Sequence, residues 1–190
     1  IIAIGKLQRT VEEREHKNTP NKKLQVAIDW ITKQISEKES DYYQLADIDK
    51  IAACGMSCGG AQVMAVADDK RIKKYMMFNS GMGDMTMAGA SKASLKALHG
   101  EIIYILGGET DVAYNNALLD FEWINNVSVV FASLENVGHG GTFNEEFGGS
   151  FARITLDWLD WQFKMKDNSH IFLKQDLSNY KGWIMKTKTN

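Results

Sequence analysis

Apolar positions in this chain fall in short clusters separated by polar or glycine-rich segments, and the spacing inside each cluster predicts its element. Ile1-Ile2-Ala3-Ile4-Gly5 is a β-branched run that reads as a buried strand. Lys6 to Lys23 is polar, holds the single proline, Pro20, and reads as a loop. Leu24, Ile28, Ile31 and Ile35 then share one face at helical spacing, with Ala27 and Trp30 beside them. An amphipathic helix lying on a sheet is expected there. Ser36 to Lys50 is a solvated connection in which Asp47 and Asp49 read as turn and surface charges.

Beyond it, the apolar run from Ile51 leads into Gly55-Met56-Ser57-Cys58-Gly59 and out into a helical pattern of small residues, Ala61 to Ala67. Lys74 to Gly81 reads as a strand ending in a turn, and Glu101 to Gly108 as another with a glycine-rich exit towards Asp111. Ala117, Leu118, Phe121, Trp123 and Ile124 predict a short helix, and Val127 to Leu134 is the last clear strand. Phe151, Ile154, Trp158 and Trp161 mark a closing helix to about Lys164. The segment Gly81 to Ser91, rich in methionine and glycine, has little periodicity and reads either as a wall of a site or as core filling. Short strands alternating with helices predict an α/β fold with a mostly parallel, doubly wound sheet. In such sheets the active groups gather beyond the carboxyl ends of the strands.

A length of 190 residues bounds this to one domain, 1–190, with a sizeable core. The net charge of −2, with lysines and acids interspersed, gives no basic field for nucleic acid or an anionic membrane. No apolar run reaches the roughly 18 residues of a membrane span, so no transmembrane segment is expected. Cys54 and Cys58 flank a strand-to-helix turn and read as free or buried thiols. The histidines at 16, 99, 139 and 170 are scattered without ligand spacing, so no metal is expected, and the serine chemistry read below implies no cofactor.

Gly55-Met56-Ser57-Cys58-Gly59 is a Gly-x-Ser-x-Gly pattern in a strand–turn–helix setting. A turn this tight strains the serine backbone, and side chains at Gly55 and Gly59 are expected to collide with the neighbouring strand and helix. Ser57, not the Cys58 thiol, occupies the apex and is the candidate nucleophile. The amide of Cys58 is the expected first oxyanion donor. A serine hydroxyl needs a base, and His139, in Gly138-His139-Gly140-Gly141 past a strand end, is better placed than His16, His99 or His170. Asp111 would orient the imidazole, with Glu109 and Asp84 as rivals. Tyr114 and Phe143 are candidates for pocket lining or for aromatic packing.

Gly55 to Gly60, Asn79-Ser80-Gly81, Gly107 to Tyr114 and Val137 to Thr142 together resemble the successive motifs of microbial α/β-hydrolase-fold esterases, in particular the dienelactone-hydrolase-like and cutinase/lipase-like branches. Trp158 to Gln162 and the tail near Gly182-Trp183 resemble the C-terminal end of that family. The resemblance implies an α/β-hydrolase fold, Ser57, Asp111 and His139 as the triad, a small-molecule or polymer-linked ester as substrate, and a secreted or periplasmic setting. It also implies that Ile1–Gly5 is about the fourth strand. The earlier strands and their oxyanion loop would then lie outside this chain, leaving a sheet edge for an N-terminal portion or a second copy to cover. A non-catalytic binding module built on the incomplete sheet is the alternative. Nucleotide binding is disfavoured, because Gly55 to Gly60 lacks the P-loop lysine and the dinucleotide spacing.

Overall fold

The computed structural model describes residues 1–5 and 20–190. Most of the expected polar loop from Lys6, and His16 within it, lies outside the described residues. A five-stranded sheet runs in sequence order: β1 (Ile51–Met56), β2 (Ile72–Phe78), β3 (Ile102–Leu106), β4 (Val129–Leu134) and β5 (Trp183–Lys188). The first four strands are parallel and β5 is antiparallel to β4. Helices α1 (Lys22–Ser36), α2 (Cys58–Met64) and α3 (Tyr114–Trp123) belong to one face; α4 (Gly149–Lys164) and α5 (Ser169–Leu173) belong to the other.

The middle of the sheet is buried on both faces, which is why β3 and β4 read as unbroken apolar runs rather than as alternating ones. Tyr75, Met77, Tyr104, Leu106 and Phe131 pack towards α2 and α3. Ile103, Ile105, Val130 and Ala132 pack towards Phe151, Ile154 and Trp158 of α4, all three fully buried. The chain changes faces after β4, so the segment carrying His139 is the crossing point between the two layers.

Two sequence expectations change here. Ile1–Gly5 forms no strand: Ile1 and Ile2 are exposed, and these residues lie in an apolar groove of about 660 Å³ beside α1 and β1. A strand exists by its ladder, and among the described residues β1 pairs with β2 alone. Nor is Val127–Leu134 the last strand. In β5, Trp183 and Met185 point inward while Ile184 and Lys186 face out, a period of two that closes the far edge against β4. Cys54 and Cys58 are free thiols, both exposed.

Candidate active site

Four consecutive strands each deliver one side chain to a common point beyond their carboxyl ends: Ser57 after β1, Asn79 after β2, Asp111 after β3 and His139 after β4. Ser57 stands between β1 and α2 with φ 51° and ψ −120°. Such a backbone costs an L-residue on the order of 1–3 kcal/mol and persists only where its surroundings hold it. Its N–H donates to Phe78 O at 3.0 Å, while its carbonyl accepts from Gly60 N–H and from Ser80 Oγ, each at 2.9 Å. Ser57 occupies the N-cap of α2, but its side chain caps nothing and stays available.

The glycine requirement differs from the expectation. A Cβ at Gly55 would overlap the Gly59 carbonyl, as anticipated, whereas one at Gly59 would meet no atom within 4 Å. The second steric demand falls on Gly60, where a Cβ would run into Ser80 and Met77. The close approach is between α2 and the turn after β2.

Asp111 is 2% exposed, and its carboxylate is saturated with donors. Oδ1 accepts from Ala113 N–H at 3.0 Å and lies 2.7 Å from His139 Nδ1. Oδ2 accepts from Asn79 Nδ2 at 2.7 Å and from Gly107 N–H at 3.2 Å. Burial pushes this carboxyl up, but the bonds from Ala113, His139, Asn79 and Gly107 together outweigh it and hold it below the ordinary carboxylate range. An ionised carboxylate can only accept, so Nδ1 carries the imidazole proton and Nε2 is left with its lone pair. That nitrogen lies 3.1 Å from Ser57 Oγ.

His139 reaches this position because the loop after β4 is tied to the loop after β3. Gly138 N–H donates to Gly107 O at 2.6 Å, and Gly138 itself has φ +76°. Gly107 has no room for a side chain against the Gly138 backbone. The rival acids stand apart, since Glu109 and Asp84 are exposed and outside this network. Among the rival histidines, His99 bonds the Tyr75 hydroxyl and His170 bonds Asp167 O. Tyr114 packs edge-on against Phe131, and Phe143 against Phe78 and Phe151; neither lines the cavity beside Ser57.

That cavity has a volume of about 270 Å³ and is walled by Ala61, Met82, Met85, Met87, Val112 and Ala113, with Ser57 and His139 also in its lining. Among the described residues, its lining contains no Asp, Glu, Lys or Arg. The methionine segment is therefore both wall and core: Met82 is 1% exposed, while Met85 is 40% exposed. Asn79 was the unforeseen member of the site. It follows a strand end just as Ser57, Asp111 and His139 do, and that shared placement was the readable signal. Cys58 opens α2 directly after Ser57, where the first N–H groups of a helix have no intrahelical acceptor. Among the described residues, no group of three or more His, Cys, Asp or Glu could hold a metal ion, and no helix is long and apolar enough to cross a membrane.

No protein-family model matches the chain, and no curated protein matches it.

Proposed function

We propose that this chain is a serine hydrolase of α/β-hydrolase type that cleaves carboxylic esters through an acyl-enzyme. The carrying observation is the continuous hydrogen-bonded path from Ser57 Oγ through both nitrogens of His139 to the buried Asp111. Ser57 Oγ attacks the ester carbonyl while His139 Nε2 takes its proton. The C–O bond to the alcohol then breaks, and the same proton passes to the leaving oxygen. Water repeats the sequence: His139 removes its proton, the hydroxide adds to the acyl carbon, and Ser57 leaves with that proton as the acid departs. Asp111 balances the transient charge on the imidazolium, and the Cys58 N–H, at the start of α2, is assigned as a donor to the developing oxyanion. An uncharged lining supports an ester whose acyl portion is neutral.

Intact mass after fluorophosphonate treatment tests the reading. One adduct is expected, on Ser57, and is expected to vanish in Ser57→Ala and His139→Ala. A folded wild type that takes up no label would overturn it. A non-catalytic binding module is the second reading, favoured by the edge of β1, which pairs with β2 alone among the described residues, and by the apolar groove beside it. That reading expects the unlabelled result.

A further inference from the structure

Asp120 lies on α3, one of the few polar side chains fully buried in the fold, and the hydrolytic steps above make no use of it. Its carboxylate accepts from three donors: Met82 N–H at 2.6 Å, Gly83 N–H at 2.9 Å and the Tyr104 hydroxyl at 3.1 Å. Two of these donors are successive amides of the segment that walls the cavity beside Ser57. The same segment is seated on α3 by shape. A Cβ at Gly81 would run into the Ala117 backbone, and one at Gly83, where φ is +49°, into Asn116. Asn116 Nδ2 further contacts Met85 Sδ at 3.7 Å.

We propose that Asp120 is a positioning residue for substrate selection: by holding the Met82 and Gly83 amides against α3, it fixes the methionine wall that receives the acyl group. The inference rests on the serine-hydrolase reading. Methionine side chains are pliable, so a wall made of them has a defined shape only where the backbone beneath is fixed. An anionic acceptor suits two successive amides because both of its oxygens can accept at once. The cavity is of a size for a ring or chain of about six carbons, given that ~150 Å³ already admits benzene. Loosening the wall therefore affects a hexanoyl group and leaves an acetyl group, which needs little of the cavity, almost untouched.

Asp120→Asn tests this, because an amide presents an N–H₂ where one of the donors now points. Expected are an unchanged rate of phosphonylation at Ser57 and an unchanged kcat on p-nitrophenyl acetate. The KM for p-nitrophenyl hexanoate should rise about tenfold. Hydrogen exchange at the Met82 and Gly83 amides should quicken by a similar factor. Gly83→Ala, which pushes the same segment off α3 without touching the carboxylate, should reproduce the hexanoate effect and serves if Asp120→Asn does not fold. Unchanged hexanoate KM in either folded variant overturns the proposal. So does a fall in phosphonylation that parallels the fall in ester turnover, which would place Asp120 behind the triad instead. A wild type that takes no label defeats the hydrolase reading, and the positioning role falls with it.

Discussion

At the scale of single residues, the site depends on how completely Asp111 is solvated by the protein. Four donors surround one buried carboxylate, so its charge is stabilised without water, and the imidazole tautomer follows from that charge. Asn79→Ala removes one donor and opens space beside a buried anion. A stability loss of about 1–3 kcal/mol is expected by denaturant titration, with kcat lowered and Ser57 still labelled, though more slowly. Asp111→Asn should cost far more in rate, on the order of 10⁴-fold, since the amide can donate to Nδ1 and so favours the wrong tautomer. Stopped-flow acylation separates the two variants: equal losses would mean that Asn79 does more than orient Asp111. Ser57, Asp111 and His139 were legible because strand, turn and chemistry coincide in sequence. Asn79 was not assigned, since its value lies in a partner 32 positions away.

At the scale of elements, the turn at Ser57 joins β1 to α2 through contacts whose glycine demands differ. Gly59→Ala has room for its methyl group and no left-handed backbone to oppose it. It is expected to be neutral or to stabilise by up to about 1 kcal/mol through helix propensity. Gly60→Ala drives a methyl group into Ser80, which holds the Ser57 carbonyl, and should cost about 1–3 kcal/mol. Thermal unfolding of the pair decides the matter, and the reverse order would show that the motif glycine, not its neighbour, carries the packing. A sequence pattern names the residues of a turn but not which neighbour sits against each of them. For the same reason the β-branching of Ile1–Gly5 reads as a strand, although strand formation needs a partner that local propensity cannot supply.

For the whole molecule, two buried carboxylates give the pH dependence of stability opposite signs. Burial raises Asp120 to about 6 in spite of the bonds from Met82, Gly83 and Tyr104. The folded state therefore binds this proton more tightly than the unfolded chain does. That contribution is complete below the unfolded value near 4 and is lost as pH rises through about 6. Asp111, held low, does the reverse: its contribution is present above the unfolded value and is lost as pH falls through the folded one. Denaturant titration of wild type against Asp120→Asn should therefore show the wild type losing about 2–3 kcal/mol relative to the variant between roughly pH 4 and pH 7. A constant difference across that range would mean that Asp120 does not titrate there.

The alternation of strands and helices, the helical faces of α1 and α4 and the placing of Ser57, Asp111 and His139 just past strand ends were all determined by the sequence itself. Each is a local consequence of pattern: a short unbroken apolar run for a strand covered on both faces, a spacing of 3.6 for a helix, and glycine where a turn must be tight. What the tertiary structure decided was every relation between distant segments. It left β1 paired with β2 alone among the described residues, brought β5 back against β4, gave Gly60 the contact expected of Gly59, and laid the methionine segment on Asp120. These depend on which surfaces meet once the core closes, and hydrophobic burial is non-directional: it requires that Met82 be covered without specifying by what.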